Sequence, residues 1–130
     1  MPPLLARGDV VLTPFPFTDS KGAPLRPALV VSRVPIGRDV VLAGISSVVH
    51  GSSVPTDYLV STSHAESLQT GLRVASVFRM HKLVTVEETV VVRRLGRIGP
   101  LLQLETDKLS ACIQGRVLRY KTTWPGLTAN

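Results

Sequence analysis

The sequence contains little cysteine and few aromatic residues. Of its 130 residues one is cysteine, Cys112, and 5% are aromatic. A single cysteine excludes a disulfide within the chain and a zinc site built from several thiolates, and it is typical of proteins in a reducing compartment. The three histidines, His50, His64 and His81, share no metal-ligand spacing. We therefore expect no bound metal.

Long hydrophobic runs are also absent. A membrane-spanning helix needs about 20 consecutive apolar residues, and Arg, Lys, Asp or Pro interrupts each run of this chain before that length. The opening residues "MPPLLARGD" lack the basic start and apolar middle of a secretion signal. We expect a soluble protein with a cytoplasmic location.

Acidic residues are scarce relative to basic ones. The chain has 15 Lys and Arg against 9 Asp and Glu, which gives a formal net charge of +6 and a sequence pI near 10.3. Clustered basic side chains gain affinity for phosphates by releasing condensed counterions, so this balance indicates a polyanionic partner such as nucleic acid. A basic surface that serves solubility alone is the alternative.

The residues that are abundant favour a β fold. Apolar residues make up 44% of the chain, and Val outweighs the aromatic residues, which favours pleated sheet. The length indicates a single domain over residues 1–130. Short apolar segments bounded by Pro and Gly predict strands, and residues 63–71 could hold one helical turn. The predicted strands cover residues 9–13, 25–33, 39–49 and 57–62, one bent or two short strands within 72–86, and one within 89–99.

The C-terminal segment changes its hydrophobic period. Leu109, Cys112, Ile113 and Val117 recur at three and four residues, which is typical of an amphipathic helix, with Thr106 as a candidate N-cap. The expected fold is mainly β, a small closed or half-open barrel with a C-terminal α-helix.

One block of the sequence resembles a known family. The stretch "RGDVVLTPFPFTDSKGAPLRPALVVS" resembles the N-terminal signature of the MazF/PemK toxin endoribonucleases, and "AGISS", "TGLRVASVF", "KLVTV" and "RLGRIGPL" resemble its later parts. The resemblance implies an SH3-like barrel and a homodimer. It also implies the toxin of a type II toxin-antitoxin system, inhibited by a cognate antitoxin protein. Such a toxin cleaves single-stranded RNA without metal or cofactor, leaving a 2′,3′-cyclic phosphate and a 5′-hydroxyl.

By this resemblance Arg26 and Ser46 form the catalytic pair, with Ser47 as the alternative hydroxyl. The chemistry agrees for Arg26, because a guanidinium matches two non-bridging oxygens of a phosphate at once. The ring of Pro27 biases Arg26 toward extended geometry. The alternative for Arg26 is a surface ion pair with Asp9 or Asp19, which would stabilise the fold by less than about 1 kcal/mol.

Further candidates lie in the segment "TGLRVASVF" and in the loop before Arg26. Relatives carry an acid and an Arg in that segment as base and acid, whereas this chain has Ser76, with Arg73 and Arg79 nearby as catalytic or RNA-binding groups. Serine is a poor base unless a neighbour activates it.

The loop before Arg26 could bind RNA through four residues, and its first aromatic residue has a different expected role. We expect Phe15 to fill the core, and stacking on an RNA base is the alternative. The RNA-binding candidates of the loop are Phe17, Thr18, Asp19 and Lys21.

Two other functions remain open at this point. The same barrel could act as a non-catalytic toxin that binds a protein target, as the related gyrase poison CcdB does, or as a degenerate RNA-binding module. The basic cluster "RRLGR" at residues 93–97 alternates its side chains between two faces of a strand, so only part of it can meet one ligand.

Overall fold

The computed structural model describes residues 4–15, 24–35, 37–49 and 54–122, with side chains described as far as residue 113. Six strands and one long helix follow one another in this part of the chain, with single 3₁₀ turns at Leu68–Thr70 and Glu88–Val90. The elements are β1 (Asp9–Pro14), β2 (Leu25–Arg33), β3 (Asp39–Ser46), β4 (Asp57–Val60), β5 (Ser76–Glu87), β6 (Arg93–Arg97) and α1 (Pro100–Thr122).

The strands form one antiparallel sheet in the order β4-β5-β3-β2-β1-β6. Strands β2 and β3 form an antiparallel hairpin, and the predicted mainly β fold with a C-terminal helix is confirmed. In the described residues β4 and β6 are the two edges and do not pair with each other, so the sheet stays open where a closed barrel would join them.

Strand β5 is one bent strand, which was one of the two alternatives predicted from the sequence; the other was two short strands. Its pairing with β3 shifts abruptly, because Ala43 lies opposite Leu83 while the next residue, Gly44, lies opposite Arg79. Three residues of β5 are therefore inserted between these pairs, and such an irregularity bends a strand. The part of β5 before the bend pairs with β4 on its other side.

Both faces of the sheet are covered by apolar clusters. Residues that are adjacent in sequence fall into different clusters. Val10 and Leu29 pack with Leu102 of α1, whereas Val11 and Val30 pack in a second cluster on the opposite face. This alternation is the period of two expected of a strand. The second cluster includes Phe15, which is 4% exposed, so its predicted core position is confirmed.

Helix α1 begins at Pro100, six residues before the predicted N-cap. The prediction for Thr106 is wrong: its buried hydroxyl donates to the carbonyl of Leu102 at 2.9 Å, within the helix. Of the predicted apolar face, Leu109 and Ile113 pack against the core, whereas Cys112 is exposed. The side chain of Val117 lies outside the described residues.

A carboxylate from a distant part of the chain caps this helix. The backbone N–H groups of Leu101 and Leu102 donate to the two carboxylate oxygens of Glu66, each at 2.8 Å. Gly99 permits this approach, because a Cβ at that position would collide with the Glu66 carboxylate. The negative charge also suits the positive end of the helix dipole. A local capping residue is therefore not needed before Pro100.

A second buried carboxylate, that of Glu88, forms an ion pair with Arg33 at the end of β2. Glu88 is 2% exposed, and Nη2 of Arg33 donates to its Oε2 at 2.6 Å while Nη1 donates to the carbonyl of Leu5 at 2.9 Å. The hydrogen bond from Arg33, with the charges of Arg33 and Arg38, lowers the pKa of Glu88 below its ordinary value of 4.5 against the opposing effect of burial.

We predict that Glu66→Ala lowers the free energy of unfolding by about 2 kcal/mol, because two helix N–H groups lose a charged acceptor. Chemical denaturation monitored by circular dichroism measures the change. Glu105→Ala, which removes a half-exposed carboxylate of α1 paired with Lys108, is the matched control and should cost less than about 0.5 kcal/mol. Equal losses in the two variants would contradict the capping role of Glu66.

We further predict that Glu88 makes the fold sensitive to acid. Because folding lowers the pKa of Glu88, its contribution to stability is complete above pH 4.5 and is lost as the pH falls through the lower folded pKa. Glu88→Gln should therefore flatten the decline of unfolding free energy below pH 4.5. The exposed neighbour Glu87 supplies the control, since Glu87→Gln should leave the wild-type decline unchanged; a parallel decline in Glu88→Gln would refute the assignment.

Candidate functional site

A groove of about 660 Å³ opens where the start of β2, the end of β3, the start of β5 and β6 come together. The residues that the sequence singled out as catalytic, or as catalytic or RNA-binding, all line it: Arg26, Ser46, Ser47, Arg73, Ser76 and Arg79. They come from three strands and the connections beside them, which are far apart in sequence.

Arg26 is an exposed residue near the start of β2, and the residue opposite it on β1, Thr13, is fully buried. The alternative pairing with Asp9 is wrong, because Asp9 accepts from Arg97 Nη1 at 2.8 Å and from the N–H of Ala6 at 2.8 Å. In the part of the chain that the structure describes, no carboxylate forms an ion pair with Arg26. Its charge is therefore directed to the groove.

The register of β2 and β3 places Ser46 beside Arg26. Ala28 lies opposite Gly44, and two residues further along each strand come Arg26 and Ser46. Side chains two residues apart share a face of a sheet, so both project on the side of Ala28 and Gly44. The Oγ of Ser46 accepts the N–H of Val48 at 3.1 Å, which leaves its O–H available as a donor to a ligand.

Gly44 forms part of the groove surface between these side chains. A Cβ at this position would lie 3.2 Å from Cζ of Phe15, so a larger residue would press on that ring and occupy space above the strand. Arg79 of β5 lies directly opposite Gly44. The missing side chain thus keeps the groove open between the strands that carry Arg26 and Arg79.

Ser76 lines the groove wall but is poorly placed for proton transfer. It is 2% exposed, and its hydroxyl donates to the carbonyl of Val74 at 2.9 Å. A hydroxyl is a poor general base when its proton is hydrogen-bonded to a backbone carbonyl and its oxygen is buried. Arg73 is exposed, whereas Arg79 is half-buried and held by Asp57.

The groove is lined by cations and, in the described residues, by no carboxylate. Of the five cations that line it, Lys82 was not predicted from the sequence, and Arg93 was named only as part of the basic cluster at residues 93–97. Lys82 comes from the three-residue insertion of β5, which local sequence does not reveal. In the cluster at residues 93–97, Arg94 and Arg97 form ion pairs with Asp9, whereas Arg93 lines the groove.

The four RNA-binding candidates of the loop, Phe17, Thr18, Asp19 and Lys21, lie outside the described residues, as does His50. The two described histidines do not line the groove. His64 Nδ1 accepts the N–H of Glu66 at 3.0 Å, and His81 Nδ1 shares a 2.7 Å hydrogen bond with Thr56.

Metal-binding clusters and membrane-spanning helices are absent from the described ranges. These ranges contain no group of three His, Cys, Asp or Glu side chains that could hold a metal ion. No helix among them is sufficiently long and apolar to cross a membrane.

Solved structures share this fold. An endoribonuclease in complex with its cognate antitoxin from Mycobacterial species is 19% identical with a TM-score of 0.62, and the alignment covers 85% of this chain and 95% of that chain. The Mycobacterium tuberculosis toxin MazF-mt6 is 17% identical with a TM-score of 0.61, covering 82% and 96%. Identities this low show a common fold. No curated protein sequence matches the chain significantly.

The sequence itself matches a family model. The model of the PemK-like, MazF-like toxins of type II toxin-antitoxin systems covers residues 6–114, which include all six strands, the groove and the first part of α1. This chain therefore belongs to the PemK-like, MazF-like toxin family of type II toxin-antitoxin systems.

Proposed function

We propose that this toxin is an endoribonuclease that cleaves single-stranded RNA by attack of a ribose 2′-hydroxyl on the adjacent phosphorus. The observation that carries the proposal is the placement of Arg26 next to Ser46 in a groove lined by cations, with no carboxylate of the described chain pairing with Arg26. The similar mycobacterial toxin that was solved with its antitoxin is an endoribonuclease, which supports the same activity here.

In this reaction the 2′-oxygen forms a bond to phosphorus and the bond from phosphorus to the 5′-oxygen breaks. The 2′-hydroxyl loses its proton to water and the 5′-oxygen gains one from water, so the products are a 2′,3′-cyclic phosphate and a 5′-hydroxyl. Negative charge grows on the non-bridging oxygens, where the guanidinium of Arg26 can donate two parallel hydrogen bonds. The O–H of Ser46 donates to the same phosphate from the neighbouring strand. Both groups stand on strands, which hold them in place before the substrate arrives.

Proton transfer is not assigned to a side chain of the groove. The described lining residues include no histidine and no carboxylate, and the hydroxyl of Ser76 is engaged with Val74. The proposed rate enhancement therefore comes from charge stabilisation and from orientation of the attacking oxygen. This reaction needs no metal ion and no organic cofactor.

The proposed protein partner is a cognate antitoxin with an acidic segment that covers the groove. Five cations on one concave surface and a net charge of +6 are complementary to such a segment. The similar mycobacterial endoribonuclease is in complex with its cognate antitoxin. We also propose a homodimer, the assembly that the family resemblance implies.

We predict that the purified toxin cleaves a mixed-sequence single-stranded RNA in the presence of EDTA. Arg26→Ala should lower the single-turnover rate by roughly 10³-fold and Ser46→Ala by roughly 10²-fold, since each removes a donor to the developing charge. Gel analysis of end-labelled RNA measures the rate, and mapping of the ends identifies the cyclic phosphate.

Lys108→Ala is the charge control for this experiment. It removes one exposed cation of α1, outside the groove, and should leave the rate unchanged. RNA that stays intact with the unmodified toxin would reject the nuclease and favour the CcdB-like or degenerate binding functions. Cleavage that survives Arg26→Ala would reject the assigned chemistry.

A further inference from the structure

Asp57 is a buried carboxylate at the edge strand β4. Its side chain is 4% exposed, and it lies directly opposite Arg79 on β5. Nη1 of Arg79 donates to Oδ2 of Asp57 at 3.1 Å. The Arg79 side chain is 26% exposed and reaches the groove. Asp57 itself does not line the groove, so it can affect a ligand there only by positioning Arg79.

The surroundings of Asp57 do not favour a stabilising role for its carboxylate. Its Oδ1 is buried and accepts no hydrogen bond from the described residues, and the N–H of Val54 reaches Oδ2 only at 3.4 Å. His81 Nδ1 lies 3.7 Å from Oδ1 but is hydrogen-bonded to Thr56. An incompletely satisfied buried carboxylate is costly, and apolar residues at such positions often stabilise a fold more. The arrangement fixes Arg79 at a cost in stability.

The position of Arg79 separates it from the proposed reaction centre. Arg26 stands on β2 and Arg79 on β5, with β3 between them. At about 4.8 Å between neighbouring strands, the two backbones are roughly 10 Å apart. Asp57 lies on the far side of β5 from β3 and draws the guanidinium in that direction. Arg79 is therefore turned away from the phosphate that Arg26 contacts.

We propose that Arg79, held by Asp57, is a binding site for a second phosphate of the RNA backbone, next to the phosphate that is cleaved. The proposal rests on the function proposed above. One N–H of the guanidinium is used by Asp57, which leaves four donors for phosphate oxygens. Arg79 contacts the substrate, and Asp57 is a positioning residue that acts through it.

A binding site away from the reacting atoms has a distinct kinetic signature. It contributes equally to the ground state and the transition state, so its loss raises KM and leaves kcat unchanged. We expect Arg79→Ala and the isosteric Asp57→Asn each to raise KM about tenfold or more, in the range of a lost charge-assisted hydrogen bond. Arg26→Ala should instead lower kcat.

The coupling between the two residues separates positioning from a general structural role. If Asp57 acts through Arg79, Asp57→Asn has no further effect on binding in the Arg79→Ala background. Thermal unfolding of each variant identifies any loss of fold, and Lys108→Ala controls for the removal of one charge. Independent, additive effects of Asp57→Asn and Arg79→Ala on binding would overturn the positioning role.

Binding is measured without cleavage, so that the nuclease proposal does not enter. The probe is a fluorescein-labelled oligonucleotide of mixed sequence with 2′-O-methyl groups throughout, which lacks the attacking hydroxyl, and anisotropy is followed at several salt concentrations. Removal of one phosphate contact should reduce the slope of log K against log salt by about 0.7. Arg79→Ala and Asp57→Asn should both show this reduction, and Lys108→Ala should not.

The outcomes distinguish the two proposals. The expected binding pattern without cleavage of ordinary RNA would retain the phosphate site and reject the nuclease. Cleavage of RNA with unchanged binding and KM in Arg79→Ala would retain the nuclease and reject the phosphate site. A lower kcat with unchanged KM in Arg79→Ala would place Arg79 in the chemistry and overturn the inference, and so would a probe that the unmodified toxin does not bind.

Discussion

The pairing register of β2 and β3 is the constraint on which the groove depends. The ladder ends at the pair of Ala28 and Gly44, and Arg26 and Ser46 lie two residues beyond this pair on their strands, so an arginine and a hydroxyl from separate strands reach one face. A slip of one residue would turn one strand's side chains to the opposite face. The register is fixed because the two faces of the sheet pack against different apolar clusters, and a slipped strand would move its valines and leucines out of the cluster in which each packs.

The carboxylates of the protein are distributed so that the groove remains positive. Asp9 binds Arg97 on the outer edge of the sheet, Glu88 binds Arg33, and Glu66 caps α1. Each of these is at least nine-tenths buried and bound to a group outside the groove. Asp57 differs, because its partner Arg79 lines the groove. In the described residues the groove is therefore lined by five cations and by no carboxylate.

The local hydrophobic pattern and the motifs of the sequence predicted most of the strands and part of the site. The apolar run of residues 25–33 became β2 with those bounds, and the bend in β5 was foreseen as one of two alternatives. Arg26, Ser46 and Arg79 were found through motif resemblance, and the groove brings them together. The start of α1 was mispredicted, since periodicity over residues 106–120 says nothing of a helix turn capped by Glu66 from 35 residues away.

By itself the sequence determined the β fold, the family and the placement of Arg26 at the mouth of a strand, because strand period, turn residues and the Arg-Pro motif are local properties of the chain. Tertiary structure alone decided that Lys82 and Arg93 enter the groove and that Asp57 holds Arg79. The contact of Asp57 with Arg79 follows from the sheet order, which sets β5 between β4 and β3. Side chains distant in sequence meet there, and burial determines which charges must pair and which face a ligand.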